Sequence, residues 1–237
     1  MMRNKRASYR EVFGAEKYKV IVLDMDGTLY YQRGMQIMML LEMGAYAVRH
    51  PFSLWKFRVI SLFRNIREQK IFAKDEALPS EYRLEEEGRT LLQVQYQIVA
   101  DKLNKTAGEV AQIIEEWMFK RPLKYLHYTC DKKLRGWLDE WKQSGKKVVI
   151  YSDYPVKEKC ATLALEADAM YSSEEKKIGR MKPSVKGLEI IGRELAVMPD
   201  EMLVIGDRLS KDGKMAEAFG CDYVILAKWK TVRNRYY

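Results

Sequence analysis

The sequence predicts a parallel α/β fold with helices on both faces of its sheet and an all-helical insert near its start. Three observations carry this prediction: short β-branched runs that stop at acidic or hydroxyl residues, alternation of strand and helix after residue 124, and a long stretch of purely helical periodicity between the first strand and the rest. The run from Tyr18 to Leu23 (YKVIVL) reads as a buried strand that breaks at Asp24, with Gly27 in the turn-like DMDGT. From about Gln36 to Met118 apolar residues recur at three- and four-residue spacing, and Pro51 and Pro79 separate the helical segments. After Pro122 the expected elements are a helix from Asp131 to Gln143, a strand from Lys147 to Tyr151, a helix from Val156 to Leu165 and a strand from Ala169 to Tyr171. A helix from Ser184 to Glu194, a strand from Met202 to Ile205, a helix from Lys211 to Phe219 and a strand from Tyr223 to Leu226 complete the alternation.

Composition bounds the function without choosing it. The 237 residues, 47% hydrophobic and 32% charged, suit a folded globular chain. Lys and Arg outnumber Asp and Glu by 42 to 33, and the resulting charge of +9 steers encounters toward anions such as phosphorylated metabolites, nucleic acid or anionic lipid. Cys130, Cys160 and Cys221 are widely spaced, so neither a disulfide framework nor a zinc site is expected, and a reducing cytoplasm fits. Arg3, Lys5, Arg6 and Arg10 precede no apolar run of the secretory type. The greasiest stretch, Met35 to Val48, is interrupted by Glu42 and is too short to span a bilayer, so no transmembrane helix is expected.

In an open parallel sheet, ligands bind beyond the carboxyl ends of the strands. The first strand ends at Asp24 with Asp26 two residues on, the second at Ser152 and Asp153, and MLVI at Gly206 and Asp207 with Asp212 five residues further. Carboxylates gathered there repel one another, and a bound cation relieves them. Hard oxygen donors suit magnesium, since both histidines, His50 and His127, lie away from these strand ends.

With these residues in place, DMDGT at Asp24 to Thr28, Ser152 after KVVIY, Lys182 in MKP and GDRLSKD at Gly206 to Asp212 resemble, in order, the four motifs of the haloacid dehalogenase-like hydrolase superfamily. The resemblance implies a Rossmann-like catalytic core over residues 1–31 and 124–237 with a helical cap over 32–123, as in phosphoglycolate phosphatase-like members. It further implies a phosphatase in which Asp24 is the nucleophile, Asp26 the general acid and base, Ser152, Lys182 and Thr28 the phosphate-binding groups, and Asp24, Asp26 and Asp207 the magnesium ligands, Asp26 through its backbone carbonyl. Asp212 is expected to orient that shell from behind. An acid at Asp26 disfavours dehalogenation, whereas a phosphomutase would use the same residues.

Specificity is expected from the insert, with hinges near Tyr30 to Gly34 and Arg121 to Tyr128, because only about 30 residues separate Ser152 from Lys182. In the stretch from His50 to Lys70 and just before it, Arg49, Lys56, Arg58, Arg64 and Arg67 interleave with Phe52, Trp55, Phe57 and Phe63. Three readings stand: aromatics packed within the cap with solvated arginines, a grip on a lipid-linked phosphate, or contact with an anionic membrane. The expected partner is a small phosphorylated substrate. A nucleic-acid-binding module, fed by Lys228, Lys230, Arg233 and Arg235, is the rival from another class, and the complete motif set counts against it.

Overall fold

The computed structural model describes residues 16–69, 72–73 and 88–226. The basic termini noted above and Pro79 lie outside the described residues. Five parallel strands, β1 (Val20–Leu23), β2 (Lys147–Ser152), β3 (Ala169–Ser172), β4 (Met202–Gly206) and β5 (Asp222–Ile225), form one sheet in the order β3-β2-β1-β4-β5. β1 is central: Leu23 pairs with Ile150 of β2 and with Ile205 of β4, so the carboxyl ends of three strands finish together. Asp24 extends the ladder, its N–H donating to the Ile205 carbonyl at 2.9 Å.

Successive side chains of each strand enter opposite layers. Ile21, Leu23, Val148, Ile150, Leu203 and Ile205 share a core with the inserted helices and with the helix Lys132–Gln143. Val20, Val22, Val149, Tyr151, Met202 and Val204 pack on the other face with Leu188, Ile191 and Met215, from the helices Lys186–Leu195 and Lys214–Phe219. Burial on both faces explains why these strands read as continuous apolar runs rather than alternating ones.

Among the described residues, the longer helices between β1 and β2 include α1 (Gln32–Arg49), α2 (Trp55–Arg67), α3 (Leu91–Leu103) and α4 (Ala107–Ile114). Thr90 and Thr106 start the last two through reciprocal bonds with Gln93 and Glu109, satisfying otherwise orphaned N–H groups. The chain leaves the sheet and returns to it at one place. Tyr31 N–H donates to the Thr129 carbonyl at 2.8 Å, and Asp131 N–H to the Leu29 carbonyl at 3.0 Å.

Two sequence-based boundaries shift for local reasons. The helix expected from Val156 spans only Lys157–Thr162, because Ala164 turns left-handed at φ 48° and the Leu165 N–H closes back on the Cys160 carbonyl. The helix expected from Lys211 begins at Lys214, after a wide turn over Leu209–Gly213 in which the N–H groups of Lys211, Asp212 and Gly213 all converge on the Arg208 carbonyl.

The packing reading of the aromatic stretch describes part of it. Phe63 is fully buried, and Phe57 stacks edge-on against Trp117 at 5.4 Å. Arg67, expected among the solvated arginines, is instead fully buried. It bonds Gln95 of α3, Glu174 at 2.9 Å and the Asp153 carbonyl, and lies 4.2 Å from the Tyr154 ring. A guanidinium with this many fixed acceptors ties α2 and α3 to the loop after β2. Arg67→Ala is expected to destabilise the protein by about 3–5 kcal/mol by leaving the Glu174 carboxylate buried without its partner, which urea denaturation measures.

Candidate functional site

At the carboxyl edge of β1 and β4, carboxylate oxygens of Asp24, Asp207 and Asp212 lie within 4.8 Å of one another. Backbone without side chains makes the approach possible. A Cβ at Gly27, where φ is +96°, would sit 2.2 Å from Asp207 Oδ2, and one at Gly206 would sit 2.2 Å from Asp212 Cγ. Lys182 enters between them: its Nζ donates to Asp24 Oδ1 and Asp212 Oδ1 at 2.8 Å each and to the Tyr151 carbonyl at 2.9 Å. Thr28 Oγ1 donates to the other oxygen of Asp24 at 2.9 Å. The loop after β2 aims the lysine, since Asp153 Oδ1 accepts the Lys182 N–H at 2.8 Å and Ser173 Oγ at 3.0 Å while its Oδ2 accepts Lys211 Nζ at 3.1 Å.

Electrostatics follow this arrangement. Burial pushes the Asp24 carboxyl up to about 7; Lys182 pulls it down, while Asp212, Asp207 and Asp26 add to the rise. Burial, then Asp212, push Asp207 up to about 6. Burial also works against the charge of Lys182, but Asp212, Asp24 and Asp153 outweigh it and raise the ammonium above the usual lysine range. Fully ionised, these three carboxylates would outnumber the one buried ammonium by two, a surplus that raises the proton affinity of Asp24 and Asp207. Arg208, 38% exposed and 3.8 Å from Asp207, screens that surplus only from the solvent side. An all-oxygen donor set with uncompensated charge fits a hard divalent cation.

Asp26 stands apart from this cluster. Its Oδ1 accepts Tyr30 OH and Lys159 Nζ, and its Oδ2 accepts Ser152 Oγ at 3.0 Å. Burial opposes its ionisation, yet the Lys159 charge and the three hydrogen bonds prevail and hold its carboxyl below the usual carboxylate range. The structure therefore groups the expected site residues in two sets: Asp24, Thr28, Lys182, Asp207 and Asp212 around one centre, and Asp26 with Ser152 beside it. Asp212, expected to orient the shell, places a carboxylate oxygen within 4.8 Å of those of Asp24 and Asp207, and Gly206 gives its side chain the room to do so.

Tyr30 and Lys159 were not among the expected site residues. Lys159 had a signal: it lies on the apolar face of its helix, between Val156 and Leu163, and only 7% of it is exposed. A lysine on such a face needs a buried anion. Tyr30 had none beyond standing four residues after Asp26. A cavity of about 320 Å³, lined by Gly27, Asp207 and Arg208 on one side and by Tyr31, Gln32 and Arg33 on the other, opens beside the carboxylates.

Residues 18–220 match the family described as haloacid dehalogenase-like hydrolase. The chain belongs to that family. No curated protein sequence matches it. Among solved structures it is similar to the L-2-haloacid dehalogenase of Xanthobacter autotrophicus, at 18% identity and TM-score 0.59, over 90% of this chain and 79% of the other. It is similar to a HAD phosphatase from Thermococcus onnurineus, at 16% identity and TM-score 0.58, over 92% and 90%. A predicted phosphoglycolate phosphatase from Haemophilus somnus aligns over 94% and 91% at 16% identity and TM-score 0.53. At these identities the likeness is one of fold, shared by dehalogenases and phosphatases alike.

The raised carboxyls carry a stability signature. Between about pH 4 and 7 the folded protein holds protons at Asp24 and Asp207 that the unfolded chain has already released, so stability contributed by these groups falls as pH rises through that window. With chelator present, the melting temperature is expected to fall from pH 5 to pH 7.5, and Asp24→Asn is expected to reduce the fall; thermal denaturation across pH checks both. Lys159→Met leaves Asp26 without its buried counter-charge, and a lower melting temperature at neutral pH is the expected result.

Proposed function

We propose that this hydrolase is a magnesium-dependent phosphatase acting on phosphate monoesters, with Asp24 as nucleophile. The observation that carries the reading is the pairing of Asp24 with a second carboxylate, Asp26, held separately at the same strand end by Ser152, Tyr30 and Lys159. Attack on phosphorus expels an alkoxide that needs a proton, and the acyl phosphate then needs an activated water; one carboxylate beside the nucleophile serves both steps. A halide leaving group needs no proton.

In the resting site Asp26 is held in the ionised form, the one that takes a proton from water. A phosphate dianion arriving next to it raises its proton affinity, which favours the acid form for the first step. Lys182, anchored by Asp153, supplies a point charge to the transferring oxygens beside Asp24. Ser152 and Thr28 are hydroxyl donors at the same edge, each now satisfied by a carboxylate of the site. The side chains of Asp24, Asp207 and Asp212 fit magnesium, with the Asp26 carbonyl as a further oxygen. The ion would neutralise charge spreading over the phosphoryl group and keep Asp24 ionised despite its burial.

The inserted helices between residues 32 and 123 would act as the cap that selects the leaving group. Their tie to the site through Arg67 and the cavity wall formed by Tyr31 to Arg33 support that role. Resemblance to phosphoglycolate phosphatase-like proteins rests on the placement of this insert after the first motif and names no leaving group.

The test is phosphate release from sugar, nucleotide, cofactor and prenyl phosphates, run beside halide release from 2-haloacids. Phosphate release that stops in EDTA, returns with magnesium and is absent in Asp24→Asn is the expected outcome; Asp26→Asn is expected to lower kcat by about 10²–10⁴-fold. Halide release without phosphate release would reverse the reading.

A further inference from the structure

Helix α1 carries an apolar face that no described part of the molecule covers. Its inner side buries Met35 and Met39, while Ile37, Leu40, Leu41 and Val48 on its outer side are exposed by 60, 68, 70 and 84%. Positions 37, 40, 41, 44, 45 and 48 return to one side of a helix at each turn, and Gly44 and Ala45, both exposed, continue the row between the larger side chains. Beyond the helix, Phe52 is 95% exposed, with Leu54 and Trp55 exposed close behind it. Single exposed apolar side chains are ordinary, but a continuous row along a helix ending in an aromatic turn marks a contact surface.

Charge identifies what the surface meets. Between Gln32 and Arg64 the sequence has five Lys or Arg and one acid, Glu42. That acid is turned inward, bonded by Arg121 at 2.7 Å, Lys124 at 2.8 Å and Tyr125 at 2.9 Å. Arg49 follows Val48, Arg58 lies one turn beyond Trp55, and Lys105 stands 4.6 Å over the Trp55 ring. An apolar row bordered by cations, with no exposed carboxylate on the helix, suits the interface of an anionic bilayer. A second copy of the chain would set these cations against their own counterparts, which disfavours self-association through this face.

We propose that α1 and the turn through Trp55 dock the protein peripherally on an anionic membrane surface, the apolar row entering the interface and Arg49, Arg58 and Lys105 meeting the headgroups. No described helix is long and apolar enough to cross the bilayer, so the contact lies along the surface. Docking would bring the cavity at the amino end of α1 to the lipid boundary, since Tyr31, Gln32 and Arg33 form its wall. The inference rests on the exposed face and stands whether or not the phosphatase reading does.

Co-sedimentation of the full chain with vesicles tests it without any need for turnover. The chain is expected to pellet with phosphatidylcholine vesicles containing about one third phosphatidylglycerol and to stay in solution with phosphatidylcholine alone. The double variant Leu41→Glu, Phe52→Glu is expected to bind about tenfold or more weakly, since it puts charge where apolar area would be buried. Its circular dichroism and melting temperature are expected to match the wild type, because both positions face solvent. Wild type remaining in the supernatant with anionic vesicles, or the variant pelleting equally, overturns the proposal. A wild-type dimer that the variant converts to monomer, without vesicle binding, would assign the face to a second copy instead.

Discussion

Three carboxylates share one desolvated pocket at the carboxyl edge of the sheet, and their mutual repulsion is the constraint around which the neighbouring structure is arranged. Lys182 relieves part of it by reaching Asp24 and Asp212 at once. That reach depends on Asp153, which fixes the lysine's backbone and is itself balanced by Lys211. Gly27 and Gly206 yield the space in which Asp207 and Asp212 approach. Such a site is costly to fold, the usual exchange of stability for chemistry at a preorganised centre.

Asp26 is managed differently, and the difference separates its chemistry from that of Asp24. Its partners are donors only: a phenol, a hydroxyl and an ammonium. Two carboxylates two residues apart therefore have opposite proton affinities, one pushed up by burial among like charges and the other pulled down by Lys159. Environments that drive paired groups apart in this way are how a single fold assigns distinct roles to identical side chains.

The inserted helices join this centre through Arg67, whose guanidinium links Gln95 to the carbonyl of Asp153, the residue that positions Lys182. Packing in the insert and geometry at the carboxyl edge of the sheet are thereby linked through one buried side chain. The same helices present a wholly different face outward, where α1 shows leucines and isoleucine to solvent. A helix apolar on two sides has an ambiguous periodicity, which is why Met35 to Val48 reads as greasy without revealing which side is inward.

The parallel α/β class, the order of its elements and the carboxylates at the strand ends were legible in the amino-acid sequence, because local periodicity and position at a strand terminus are properties of consecutive residues. The sequence also carried the family resemblance, since the four motifs are contiguous strings. Folding alone brings Lys159 and Tyr30 to Asp26, Asp212 to Asp24 and Asp207, and Arg67 into its place among Gln95, Glu174 and Asp153. These contacts link residues far apart in the chain, as with Asp26 and Lys159, 133 positions apart. A charged side chain looks alike in sequence whether it is solvated or buried, and its role is set by the partner that folding brings to it.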